Sequence, residues 1–183
     1  MKFDIHTDSR LFIMGESKSG KSYLIKKLLS NLTRVIYIDP SGDELATLPR
    51  SWQGIQVMDE AGIIDTLRKA KKEGNVHIVI DDYDLYASSR LSDDPEWRYL
   101  FIAARHRNIG WTTITRRLAD IPKLALKQCD YAFFFQTDLA QDLQTVREQI
   151  GDSAAETIRN LDRSRHQFMY WDRTNKKTGV MIA

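Results

Sequence analysis

The chain has almost no cysteine: Cys129 is the only one in 183 residues. That excludes an intrachain disulfide and a thiolate-rich metal site, and it suits a reducing compartment. Long apolar runs are missing as well. No stretch approaches the ~18 residues that a membrane-spanning helix needs. The opening MKFDIHTDSR is too polar for a secretory leader, so the expected location is cytoplasm. There is little excess charge of either sign. The 27 Lys and Arg offset 25 Asp and Glu, leaving a net charge of +2, which permits a nucleic-acid partner without arguing for one. Repeats, low-complexity tracts and Gly/Ser linkers are absent too. One domain over residues 1–183 is the expectation.

What is present is alternation. Apolar runs that read as strands lie at 11–14, 35–38, 76–80, 111–115 and 131–136, with a short one at 55–58. Between them lie amphipathic stretches. Residues 20–31 carry Leu24, Ile25, Leu28 and Leu29 on one helical face. Asp59 is placed to cap a helix bearing Ile63, Ile64 and Leu67. Asp94-Pro95 opens another, expected to run to about Arg107. Asp138 opens one that Gly151 closes. Residues 167–171 and 179–182 form a terminal hairpin pattern around Asn175. Such alternation specifies an α/β fold, a mostly parallel central sheet flanked by helices.

Residues Gly15-Glu16-Ser17-Lys18-Ser19-Gly20-Lys21-Ser22 match G-x-x-x-x-G-K-[ST] at every fixed position, between a strand and a helix. The glycines allow the backbone to wrap phosphates, and the helix N-terminus adds N–H donors and positive potential. Lys21 is expected to reach the β- and γ-phosphates of ATP, and the Ser22 hydroxyl to ligate Mg²⁺. Tyr23 follows as the next nucleotide-binding candidate. A chance Gly/Ser/Lys turn is the plain alternative, and the correct flanks on both sides argue against it.

Downstream, His77-Ile78-Val79-Ile80-Asp81-Asp82 is an apolar strand ending in two acids. Asp81 suits Mg²⁺ through water. Asp82 suits a general base that polarises the attacking water. Solvated carboxylates are the plain alternative, and Asp84 is a competing acid placed in a loop.

Four segments together resemble the FtsK–HerA superfamily of DNA-pumping ATPases, most closely its small viral genome-packaging members. They are the loop at 15–22, Ile38-Asp39-Pro40-Ser41-Gly42-Asp43, the Asp81-Asp82 strand, and Ala104 to Gly110 with Trp111–Thr115, Arg116-Arg117 and Ile121-Pro122. The resemblance covers residues 11–137. It implies a RecA/FtsK-like P-loop NTPase fold of the ASCE division, with the sensor strand 111–115 between the phosphate-loop strand and the Asp81 strand. Two departures stand out. Asp82 replaces the usual glutamate, one methylene longer, and Arg116 stands where a glutamine is usual. Arg116 is thereby a candidate for direct phosphate contact, with Thr115 as another polar candidate.

The resemblance also points to Arg107, then Arg105, as an arginine offered to a neighbouring subunit's γ-phosphate. A favourable charge at a helix end is the alternative for both. It further implies a homo-oligomeric ring, hexameric in the family, with double-stranded DNA and capsid or virion proteins as partners, in host cytoplasm or associated with the virion. Lys26-Lys27 and Lys69 to Lys72 read as solvated helix faces. Arg163, Arg165, Lys176 and Lys177 gather near the end of the chain, where DNA phosphates are conceivable ligands. Trp52, Trp97, Trp111 and Trp171 are expected in the core or at interfaces. Two other functions stay open: a nucleoside or nucleotide kinase, with Arg116-Arg117 as part of a lid, and a secretion or assembly ATPase acting on protein.

Overall fold

The computed structural model describes residues 3–57, 59–86, 94–118 and 123–183. Strands β1 (Arg10–Met14), β2 (Val35–Ile38), β3 (Gln53–Ile55), β4 (Val76–Ile80), β5 (Ile109–Thr115), β6 (Tyr131–Phe135), β7 (Gln167–Asp172) and β8 (Lys177–Ile182) form one sheet. Their spatial order is β3-β2-β4-β5-β1-β6-β7-β8. Pairing is parallel from β3 to β6 and antiparallel from β6 through β8. The sensor strand β5 therefore lies between β1 and β4, as the resemblance implies.

Strand alternation divides the core in two. Leu11 and Ile13 face one side, with Leu24 and Ile25 of α1 (Lys21–Leu28) and with Val35, Tyr37 and Phe133. Phe12 and Met14 face the other, which is covered by α2 (Glu60–Glu73), α3 (Pro95–Ile102), α4 (Lys123–Gln128), α5 (Ala140–Gln149) and α6 (Asp152–Arg159). Helices on both sides leave β4 and β5 buried along their whole length, which is why they are mostly apolar without polar alternation. Tyr83, Trp97, Phe101 and Trp111 make a chain of ring contacts under α3. Trp52, Trp97 and Trp111 are buried and Trp171 half-buried, as expected.

Local signals set most boundaries. Asp59 accepts from Gly62 N at 2.8 Å, and Asp94 from Glu96 N and Trp97 N at 2.8 and 3.2 Å. Several expectations shift. The first helix stops at Leu28 rather than 31, and the short edge strand lies at 53–55 rather than 55–58. Met58 and Ile121-Pro122 lie outside the described residues. Helix α3 ends at Ile102 and passes into a 3-10 turn, Ala104–Arg107, which left-handed Asn108 closes before β5 begins at Ile109. Leu139, not Asp138, precedes the first turn of α5. Gly151 does close α5, but it also opens α6. Helices α4 and α6 were not anticipated.

The segment before β1 crosses the N-terminal ends of β4 and β5. Trp111 N donates to Ser9 O at 3.1 Å. Gly110 is required there, since a Cβ would lie 2.1 Å from Thr7 O. His77 is fully buried beneath this crossing, with Nδ1 3.0 Å from Thr7 O and Nε2 2.8 Å from Thr112 Oγ1. Burial pushes its pKa down to about 4. The unfolded chain takes up this proton near the ordinary value of 6.5, the folded one only near 4. Stability contributed above pH 6.5 is thus lost as pH falls toward 4, by roughly 3 kcal/mol for this group. Urea denaturation at several pH values should show that loss in the wild type and a flatter profile in His77→Gln. Parallel profiles would show that His77 does not titrate in this way.

Candidate active site

The chemistry-bearing residues lie at the C-terminal ends of adjacent strands, the edge where parallel sheets place their ligand sites. β1 ends at Met14 and Gly15 N continues the ladder by donating to Thr115 O at 3.1 Å. The chain then curls through residues 15–20 into α1. Lys18 and Gly20 adopt positive φ, 62° and 106°, the alternation that turns successive N–H groups inward as an anion nest. Gly20 carries a φ that side chains resist. Gly15 has no room for one: a Cβ would lie 2.7 Å from Phe135 Cβ and 2.8 Å from Ser19 Oγ. Ser19 is buried and its Oγ has no hydrogen-bond partner among the described residues.

Lys21 is 8% exposed and donates to Glu16 O at 2.9 Å. Burial lowers its pKa, against the pull of Asp81 and Asp82. Tyr23 stands out from the first turn, 61% exposed. The cleft in front of the loop, about 390 Å³, is lined by Lys21 and Ser22 on one side and by Asp39, Glu44, Asp81, Asp82 and Arg116 on the other. Ser17, Lys18, Gly20 and Tyr23 also reach it.

The two acids at the end of β4 are not equivalent. Asp81 is buried. Its Oδ2 accepts from Tyr37 Oη at 2.6 Å and its Oδ1 from Asp82 N at 2.8 Å. Burial pushes Asp81 up to about 6 despite these donors. Asp82 is left-handed, φ 44° and ψ 45°, and this turns its side chain out of the strand direction into the cleft. Burial raises its pKa, with Arg116 pulling the other way. Arg116 Nε lies 3.4 Å from Asp82 Oδ1 and 3.6 Å from Asp84 Oδ2.

Sequence reasoning did not find several of these contacts. Asp84 is more than a loop acid: it accepts from Thr115 Oγ1 at 3.1 Å and Arg116 N at 3.2 Å, fastening the end of the sensor strand. Thr115 itself is buried and spent on that turn, so it does not line the cleft. Arg117 turns away to the buried Asp142, 3.2 Å. Of the consecutive arginines only Arg116 faces the cleft, and no two-arginine lid forms. Asp39 shapes the opposite wall, accepting from Ser41 N, Ser41 Oγ and Glu44 N at 2.8–2.9 Å. Burial pulls the Glu44 carboxyl up, but hydrogen bonds from Lys26 and Ser22 outweigh it and hold the pKa low. Lys26 is thus more than a solvated face.

Arg163, grouped with surface cations in the sequence, is bound to the phosphate loop. Its Nη1 lies 2.6 Å from Glu16 Oε2, and Nη2 is 3.4 Å from Ser17 O. Nearby, His166 Nδ1 meets Ser19 O at 3.0 Å. Arg105 and Arg107 lie at the start of β5, at the opposite end of the sheet from the cleft. Arg105 forms ion pairs with Asp8, at 3.4 Å, and with Asp130. Arg107 donates to Lys72 O at 3.0 Å, at the end of α2. Neither approaches the cleft of its own chain.

The donor set suits a hard divalent cation: the Ser22 hydroxyl and the Asp81 carboxylate, both oxygen donors, line the same cleft. Among the described residues no three His, Cys, Asp or Glu side chains group as a metal site.

A glycine-bearing loop between β1 and α1, with acids ending the strand two places away and β5 between, is the arrangement of a P-loop NTPase fold. No protein-family profile matches the chain, and no curated protein matches it in sequence. Among solved structures it is similar to B204, the DNA-packaging ATPase of Sulfolobus turreted icosahedral virus. That likeness has 23% identity and a TM-score of 0.82, over 96% of this chain and 98% of that one. The genome-packaging NTPase B204 of Sulfolobus turreted icosahedral virus 2, in complex with AMPPCP, gives 21% and 0.81 over 96% and 98%. The conjugation coupling protein TcpA of pCW3, with ATPγS, gives 18% and 0.64 over 97% of this chain and 60% of that one. At these identities the likeness establishes the fold. No helix among the described residues is long and apolar enough to cross a membrane.

Proposed function

We propose that this chain is an ATPase that moves double-stranded DNA, filling a viral capsid as part of a homo-oligomeric ring. The observation that carries this is the convergence of a complete phosphate loop, Asp81, Asp82 and Arg116 on one cleft. Likeness in fold over nearly the full length to a DNA-packaging ATPase favours DNA over a small phosphate acceptor or a secreted protein. The chain would act as a single domain, in host cytoplasm or with the virion.

In this reading the loop amides of residues 15–22 and Lys21 cradle the phosphates of ATP. Ser22 and Asp81 hold Mg²⁺, which when bound neutralises phosphate charge. Asp81 is kept oriented by Tyr37. Asp82 accepts the proton of the attacking water, so that ATP and water give ADP and phosphate. Arg116 lies across from Lys21 and supports charge on the γ-phosphate. Arg107, whose guanidinium spends one donor on Lys72 O and is otherwise exposed, is offered to the neighbouring subunit, with Arg105 as second candidate.

ATP turnover should rise when duplex DNA is added, and the mass of the protein should rise to that of a ring with ATP and DNA. A monomer indifferent to DNA would count against the motor and for a kinase. Arg107 is tested by mixing. Arg107→Ala and Lys21→Ala, each inactive alone, should regain turnover together, because some interfaces then pair an intact cleft with an intact Arg107. Absence of complementation in co-assembled rings would remove Arg107 from the active site.

A further inference from the structure

We infer that the groove at the far end of the β7–β8 hairpin is a contact site for the phosphodiester backbone of DNA. It rests on the DNA-motor reading above and supplies the DNA-binding surface that the nucleotide cleft does not. The groove, about 740 Å³, is lined by Lys127 at the end of α4, by Trp171 at the end of β7, and by Arg173 and Lys176 in the hairpin turn. Among the described residues no acidic one lines it.

Its cations differ from those that acids already hold. Arg10, Lys26, Arg34, Lys71, Arg105, Arg117, Arg147 and Arg163 each hold a carboxylate. The side chains of Lys127, Arg173 and Lys176 have no ion pair or hydrogen bond among the described residues. The acids closest in sequence are turned elsewhere. Asp130 is taken by Arg10 and Arg105. Asp172, 4% exposed, accepts from Asn175 N at 3.0 Å and Nδ2 at 2.8 Å. That second pair of bonds also fixes the turn, in which Lys176 is held at φ 53°. Arg173 N donates to Asp130 O at 3.0 Å, tying the turn to the start of β6. The cations are therefore presented from a fixed backbone, without competing internal partners.

An anionic polymer suits this arrangement better than a single ion, because the three cations come from two separate elements around an open groove. A guanidinium fork and two ammonium groups lining one groove suit phosphate oxygens. Half-buried Trp171 offers an apolar surface to the sugars between them. The groove lies at the opposite end of β7 from Arg163 and His166, which grip the phosphate loop. One strand thus joins the two sites.

The test compares Lys127→Gln/Arg173→Gln/Lys176→Gln with a control of equal charge change, Lys69→Gln/Lys72→Gln/Arg98→Gln. Binding of a short fluorescent duplex is titrated at several salt concentrations. The groove variant should bind more weakly than wild type, with the slope of log K against log salt reduced by about 3. The control should keep the wild-type slope, and both should keep DNA-free ATP turnover. Equal losses in both variants, or none in the groove variant while wild type binds duplex, would overturn the groove and leave the motor reading intact. Retained duplex binding with lost binding of poly-glutamate would assign the groove to an acidic protein instead. A wild type that binds no duplex would overturn the motor reading and the groove together.

Discussion

Replacing Asp82 by asparagine is expected to lower ATP turnover by ~10²–10⁴-fold, the usual contribution of a general base, while Mg·ATP still binds. The substitution keeps the shape and removes only the ability to take a proton. It is also mild for the backbone: Asp82 sits at φ 44°, and asparagine is among the residues that best tolerate that region. Burial makes the Asp82 carboxyl more basic than an exposed one, which favours proton acceptance. Arg116 would lose its ion-pair partner but keep Asp84 beside it. Single-turnover hydrolysis alongside nucleotide binding separates the two effects. If Asp81→Asn shows this phenotype and Asp82→Asn instead weakens metal dependence, the roles of the pair are exchanged.

Lys21→Ala should leave no measurable ATP turnover. The ammonium is nearly buried at the mouth of α1, held against Glu16 O, and faces Asp81 and Asp82 across the cleft. Among the described residues no other lysine reaches that depth: Lys18 also lines the cleft, but it is exposed. Removing Lys21 takes away the main cation for the β- and γ-phosphates and leaves two carboxylates near the place where those phosphates would lie. Phosphate release measured on a variant with wild-type circular dichroism decides the matter. Turnover at the wild-type rate would show that residues 15–22 are not the phosphate site.

The strands that build the site were legible because burial on both faces leaves a plain mark: 11–14 and 35–38 are apolar without interruption, and 76–80 is broken only by His77. The turn at 15–20 was legible because the sequence pattern fixes where the glycines stand between strand and helix. Edge strand β3 was misplaced by two residues, since Gln53 and Gly54 are exposed and carry no such mark. Helix α6 went unseen because Gly151 looks like a helix end; it is one, and it is also the corner into the next helix. The contact of Arg163 with Glu16 spans 147 residues, and nothing local announces it. The placement of Arg116 was half legible. Its position after the sensor strand brought it to the right edge, but only the turn held by Thr115 and Asp84 shows why it, rather than Arg117, enters the cleft.

The strand order also sets a timetable for synthesis. β1 is made early, yet its neighbours on both sides are β5 and β6, and Arg10 pairs with Trp111. The phosphate loop therefore leaves the ribosome long before the strands that flank it, and β1 waits unpaired until residues 109–135 have followed. An apolar strand with two open edges is prone to wrong partners during that wait. The β7–β8 hairpin has no such delay, because its partners are adjacent in sequence. Made after the other strands of the sheet, it can close on β6 as soon as it appears, bringing Arg163 and His166 to a loop made 147 residues before Arg163.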